Sequence, residues 1–201
     1  MAREGIPFVL IPALISLIFA IFGIWWAVVV FVALTAFMIY FFRDPERQIP
    51  TDPDIIVAPA DGKITRIETE GANTRVSIFL SPLDVHINRS PVAGVVSCII
   101  YMRGKKIPAT SKKASQVNEQ NALTIESEKI TVICTQIAGI LARRIVCRKH
   151  EGDRIALGER FGMIKFSSRT DLLLPAHVAL AVREGDRVRG GETIIGRFNG
   201  N

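Results

Sequence analysis

Cysteine and histidine are scarce in this chain, with three of each among 201 residues. Cys98, Cys134 and Cys147 sit in apolar, β-branched runs, and no two of them make a C-x-x-C spacing. The odd count argues against a disulfide framework and predicts structural thiols in a reducing compartment. Their spacing to His150 does not suggest a zinc ligand set, so no metal is expected. A G-x-S-x-G elbow is missing too, which weighs against an amidase with a simple Ser-His-Asp triad. Basic residues are scattered, with pairs such as Lys112-Lys113 and Arg143-Arg144 but no run interleaved with aromatics. Nucleic acid is therefore not an expected partner.

Charge is missing altogether from Ile6 to Phe42, a run of 37 residues. One membrane-spanning helix needs roughly 20. The run suits two short spans joined tightly near Gly23, with Trp25 and Trp26 at the interface. A single tilted span is the alternative. A cleaved signal peptide fits poorly, because the run is too long and no small-residue cleavage site precedes a polar start. Arg3 lies before the run, and Arg43 and Arg47 after it, which favours a hairpin with both ends in the cytoplasm. The expected organisation is a membrane anchor over 1–42, a linker over 43–55 punctuated by Pro45, Pro50 and Pro53, and a β-rich catalytic domain over 56–201. That places the domain on the cytoplasmic face of the cell membrane.

Residues 1–50 carry three basic and three acidic side chains, so the whole net charge of +6 belongs to residues 51–201. A basic domain beside a bilayer is drawn to anionic lipid headgroups. Within it, Lys63–Glu68 and Thr74–Leu80 alternate as strands around a Glu70-Gly-Ala-Asn73 turn. Val95–Met102 and Lys129–Thr135 are β-branched and apolar. Residues 104–121 are polar and basic, a loop or short helix, and Gln136–Arg144 fits a strand or a helical turn equally well. The chain also echoes itself. Glu151-Gly-Asp-Arg-Ile returns 33 residues later as Glu184-Gly-Asp-Arg-Val, and Pro59-x-x-Gly62 returns as Pro91-x-x-Gly94. Each is a Gly-centred turn feeding a strand. The pattern resembles the half-repeats of biotinyl/lipoyl-type domains. The expected class is mainly β, a flattened, pseudo-symmetric barrel-sandwich with an N-terminal transmembrane helical hairpin.

The stretch Gly158-Glu-Arg-Phe-Gly-Met-Ile-Lys-Phe-Ser-Ser-Arg-Thr-Asp171 ends a strand-like run on the pair Ser167-Ser168. A serine in that place can attack the carbonyl before it, turn the amide into an ester and cut the chain by elimination. The stretch resembles the self-cleavage site of short-form phosphatidylserine decarboxylases. Phe41-Phe-Arg-Asp-Pro-Glu-Arg47, Ala58-Pro-Ala-Asp-Gly62, Leu80-Ser-Pro-Leu-Asp-Val-His-Ile-Asn-Arg89, Asn118-Glu119 and Gln136-Ile-Ala-Gly-Ile-Leu-Ala-Arg-Arg144 resemble other blocks of that family, in the same order. The resemblance implies a proenzyme cut between Ser167 and Ser168 into a larger chain and a small one, a heterodimer expected to assemble further with copies of itself. It implies a covalent pyruvoyl cofactor made from Ser168. The implied reaction is decarboxylation of phosphatidylserine, or its ether-lipid equivalent, to the ethanolamine lipid of membrane phospholipid biosynthesis. Ser167 stands where the family has glycine. Serine is the more restricted residue, and slowed, blocked or unimpaired cleavage all remain open.

A serine hydroxyl at its ordinary pKa needs a base. The resemblance assigns that work to His86, with Asp61 as the acid that orients the ring, in the manner of a Ser-His-Asp relay. Asp84, two residues from His86, is the reserve carboxylate. The long-form relatives have a second histidine where Arg89 stands. His150 and His177 match no block and are expected to be a solvated residue and a core-edge residue. Arg89, Arg143, Arg144 and Arg169 could each pair with a phosphate. A different class stays open beside the enzyme: a non-catalytic, membrane-tethered lipoyl-like adaptor, which the repeated Gly-Asp turns would also suit.

Overall fold

A computed structural model describes residues 1–111, 113–140, 144–166 and 168–198. It divides into two compact units, Met1–Glu46 and Arg47–Asn201.

The first unit is a helical hairpin. Helix α1 spans Ile6–Ile21 and α2 spans Trp25–Phe41. Gly23 takes the left-handed conformation, φ 68°, that the two-helix turn requires. Trp25 and Trp26 are exposed beside it. The hairpin closes at its other end, where the Ala2 N–H donates to the Phe42 carbonyl at 2.9 Å and Phe8 stacks on Phe42. Its outer surface is apolar, with Leu10, Leu14, Leu17, Ile21, Val29 and Ile39 among the exposed side chains. Arg3–Ile21 is long and apolar enough to cross a membrane, while Trp25–Phe41 is a shorter apolar helix.

The second unit is mainly β, as its alternating runs predict. Its largest sheet has eight antiparallel strands: β13 (Arg187–Val188), β2 (Gly62–Glu70), β3 (Asn73–Leu80), β11 (Ser168–Pro175), β7 (Thr131–Ala138), β6 (Gln120–Glu126), β5 (Gly94–Met102) and β9 (Arg154–Ile155), in that spatial order. Two three-stranded sheets complete it. One is β1 (Ile55–Val57), β14 (Ile194–Arg197) and β12 (Ala179–Leu180); the other is β4 (Ile87–Arg89), β10 (Arg160–Ile164) and β8 (Ile145–Cys147). Val76, Ile78, Leu123, Ile125, Phe161 and Leu172 are among the fully buried residues of the main core. Cys134 lies in that core as a free thiol, and burial pushes its pKa up.

The sequence echoes pair with each other at the two edges of the large sheet. Gly62 opposes Val188, and Gly94 opposes Ile155. Ile64 N–H donates to Asp186 O as Val96 N–H donates to Asp153 O, both at 2.9 Å. Glu184 and Glu151 accept from the Ile67 and Ile99 N–H groups in turn. A Cβ at Gly62 would stand 2.2 Å from the Phe79 carbonyl oxygen, and one at Gly94 2.3 Å from that of Glu126, so both positions exclude side chains for one reason. The β1–β14 and β4–β10 pairs share a register and a bulge as well. A pseudo-two-fold axis therefore runs between β7 and β11, where Cys134 opposes Leu172. It exchanges β2 with β5, β3 with β6, and β1 with β4.

One connection breaks the symmetry. The turn between β2 and β3 is only Gly71-Ala72, with Gly71 at φ 60°. Its counterpart between β5 and β6 carries residues 103–119, including the short helix α3 (Ala114–Val117).

Candidate active site

Ser168 opens β11. It is fully buried, and its backbone pairs with Leu80 of β3 on one side and Ala138 of β7 on the other. Among the described residues its Oγ has no hydrogen-bond partner. A hydroxyl hidden from water without a partner is costly, roughly 1–3 kcal/mol. Ser167, the other member of the cleavage pair, lies outside the described residues. The residue before it, Phe166, has φ 64°. A bulky residue in the left-handed region stores roughly 1–3 kcal/mol of backbone strain.

His86 is fully buried just before β4. Its carbonyl accepts from the Ile164 N–H at 3.3 Å, at the end of β10. Ile164, Ala138 and Ile145 form a small buried apolar cluster. Ser168 pairs with one member of that cluster and His86 bonds to another, so both border it. The imidazole Nδ1 lies 3.0 Å from the Asp84 carbonyl oxygen. A carbonyl can only accept, so Nδ1 carries the proton and Nε2 is the basic nitrogen. The fold thereby sets the tautomer with a main-chain group.

Asp61 has other partners. Its two oxygens take Arg47 Nη2 at 3.0 and 2.7 Å, and the Gly190 N–H reaches Oδ1 at 2.8 Å. Arg47 also contacts Glu192 at 3.3 Å. Burial pushes the Asp61 carboxyl above the ordinary aspartate range, outweighing the downward pull of Gly190 and Arg47. The side chain of Asp84 accepts from the Ser81 N–H at 2.8 Å and faces Arg187 at 3.4 Å. His150 and His177 are both exposed, His177 more so than a core-edge position implies.

Arg169, next to Ser168, is buried and spent. Its Nε lies 2.9 Å from Asp171 Oδ1, and its Nη atoms donate to the Ala109 and Ser111 carbonyls and to Ser115 Oγ. It fastens the 103–119 connection to the sheet, so it is not available for a phosphate. Arg89 is buried and donates to the Gly158 carbonyl at 3.0 Å. Arg144 is exposed, and Arg143 lies outside the described residues. Asn118 is a staple. Its amide bonds both main-chain groups of Ile107 and donates at 2.7 Å to the carbonyl of Ala138, the strand partner of Ser168.

The phosphatidylserine decarboxylase family profile matches residues 34–196. A phosphatidylserine decarboxylase proenzyme of Desulfotalea psychrophila is 44% identical, with 98% of this chain and 96% of that protein covered. One of Symbiobacterium thermophilum is 46% identical over 98% and 95%. One of Solibacter usitatus is 47% identical over 83% and 81%. The chain belongs to the phosphatidylserine decarboxylase family. It is a decarboxylase, a carboxy-lyase, and the adaptor alternative falls away.

Within this family member the sequence blocks did not reveal a chain of buried amides beside the serine. Asn121 Nδ2 donates to Gln136 Oε1 at 3.1 Å, Gln136 Nε2 to Asn88 Oδ1 at 2.9 Å, and Asn88 Nδ2 to Thr170 Oγ1 at 2.9 Å. Thr170 stands two residues beyond Ser168 on β11 and so shares its strand face, and Asn88 stands two residues beyond His86, in β4. Only the folded register brings the four together; three of them, Asn88, Gln136 and Thr170, have apolar counterparts on the other half.

Proposed function

We propose that this chain is a proenzyme that cuts itself between Ser167 and Ser168, and that the pyruvoyl group so made serves decarboxylation of phosphatidylserine, or its ether-linked counterpart, at a membrane. The observation that carries the reading is Ser168 Oγ, buried at the head of a doubly paired strand and without a hydrogen-bond partner among the described residues. Among the described residues that hydroxyl makes no hydrogen bond that the fold would lose. The rest of β11 stays paired on both sides from Arg169 to Leu173. Ser168 can therefore become a new chain terminus, and a pyruvoyl group, with its surroundings intact.

In the cleavage, Ser168 Oγ adds to the Ser167 carbonyl carbon while His86 Nε2 takes the hydroxyl proton. The C–N bond breaks as the amide nitrogen gains a proton, leaving an ester. Loss of the Ser168 α-proton then expels the Ser167 carboxylate and leaves a dehydroalanine. One water enters and ammonia leaves to give the pyruvoyl group. The chains 1–167 and 168–201 remain together through the β3–β11–β7 pairing. The strain at Phe166 favours the first step, because breaking the bond releases it.

In turnover the pyruvoyl group would supply an electron sink for the pair left on the substrate α-carbon as carbon dioxide departs, the part PLP plays in other enzymes. His86 holds a proton within the buried site, with Nδ1 anchored on Asp84. Asp61 would be the carboxyl member of the relay, its place set by Arg47 and the Gly190 N–H. The hairpin 6–42 would hold the domain at the bilayer, with both ends on the cytoplasmic side, so the lipid need not leave the membrane. Labelled carbon dioxide released from carboxyl-labelled phosphatidylserine tests the reading. Wild type is expected to release it, and an active site blocked by borohydride in the presence of lipid is not. Full release after borohydride treatment would contradict a carbonyl cofactor.

A further inference from the structure

Internal symmetry provides a control for every residue around the serine. The axis between β7 and β11 matches Asn88 with Ile56, Thr170 with Val132, Gln136 with Leu174 and Asn121 with Thr74, as the strand registers require. Ile56, Val132 and Leu174 are fully buried members of the hydrophobic core. This backbone is therefore satisfied by apolar side chains at those places. On the other side Asn88, Thr170 and Gln136 are equally buried but polar. Burying an amide costs stability unless it is bonded, so polarity here calls for a reason that the fold does not supply.

Resting on the self-cleavage reading, we infer that the Asn121–Gln136–Asn88–Thr170 chain is a positioning device that sets the strand of His86 against the strand of Ser168. Its last link, Asn88 Nδ2 to Thr170 Oγ1, joins β4 to β11, which belong to different sheets. No backbone ladder ties those two strands together. Gln136 fixes Asn88 from behind and reaches toward the Val146 carbonyl at 3.4 Å, while Asn121 fixes Gln136. Every amide in the chain donates in one direction, toward Thr170, so each bond polarises the next. After cleavage Thr170 becomes the third residue of the small chain. The same link then holds the terminus that Ser168 heads.

Cleavage rate and stability of the full chain decide the matter. The fourfold variant Asn121→Thr, Gln136→Leu, Asn88→Ile and Thr170→Val installs the counterpart residues. It should keep or raise the urea midpoint and slow cleavage roughly 10²-fold, the scale of a small misplacement of reacting groups. Thr170→Val alone should slow cleavage, and Thr170→Ser, which keeps the acceptor, should restore most of the rate. A fourfold or Thr170→Val chain that cleaves at the wild-type rate overturns the inference. So does a Thr170→Ser chain as slow as Thr170→Val, which would point to packing of the lost methyl group. If the wild-type chain itself never cleaves, the self-cleavage reading fails first and this inference fails with it.

Discussion

At one end of the β7–β11 pair, Ile56, Val132 and Leu174 close a dry core; at the other, Asn88, Thr170 and Gln136 occupy the matching places and bond to one another. Ile130 stands where Ser168 stands on the other half, and Asp54 where His86 does. The backbone is shared, even to the bulges and the two side-chain-free glycines. The comparison teaches that the fold is made by what the halves have in common, and the site by what they do not. The 103–119 connection, clamped by Arg169 and stapled by Asn118, belongs to the same asymmetric set.

Removing the nucleophile should have the largest effect. Ser168→Ala makes that position apolar like Ile130 and leaves no hydroxyl to attack, so cleavage should cease while the chain stays folded. Gel mobility and circular dichroism check both parts. Loss of the base comes next. His86→Ala should slow cleavage or decarboxylation by roughly 10²–10⁴-fold, the usual contribution of general acid–base help. Asp61→Asn should cost less, because the ring is anchored on the Asp84 carbonyl. Single-turnover rates would show whether that order is reversed.

The reverse exchange sharpens the comparison. Ile56→Asn puts an amide on the dry side, between Val132 and Leu174, with no partner amide there. It should destabilise by roughly 1–3 kcal/mol and leave the cleavage rate of the folded protein unchanged. Urea titration and a cleavage time course separate the two. The smallest effect concerns Arg47. Asp61 titrates above its unfolded value, so its contribution to stability is present below the unfolded pKa and is lost as pH rises through the folded one. Arg47→Gln removes a charge that lowers the folded pKa, so the loss should extend to higher pH. Urea midpoints measured upward from the ordinary aspartate range would show the shift; no change would mean that Arg47 does not govern Asp61.

Much of the scaffold was readable without coordinates. The Gly71 turn, the hairpin bend at Gly23 and the two Gly-Asp repeats are local, and their chemistry lies in consecutive residues. Motifs singled out Ser168 and His86, and the fold brings both to the border of one buried apolar cluster. The partner of Asp61 was not, because Arg47 comes from a segment that looks like a proline-rich linker and returns to the site only in three dimensions. Sequence left Arg169 as one of four arginines able to pair with a phosphate, and only its contacts with the 103–119 connection show where its guanidinium is used. The amide chain draws on β4, β6, β7 and β11, which only the folded register brings together. Strain at Phe166 was equally hidden, since nothing in a phenylalanine announces a left-handed backbone.

The central claim is that the asymmetric half makes its own cofactor at Ser168. An intact-mass spectrum of the purified full chain tests it most directly. The account predicts two chains, 1–167 and 168–201, with the smaller one lacking a free amino terminus and carrying a carbonyl that hydroxylamine derivatises. A single 22.2 kDa chain that nonetheless decarboxylates phosphatidylserine would contradict it.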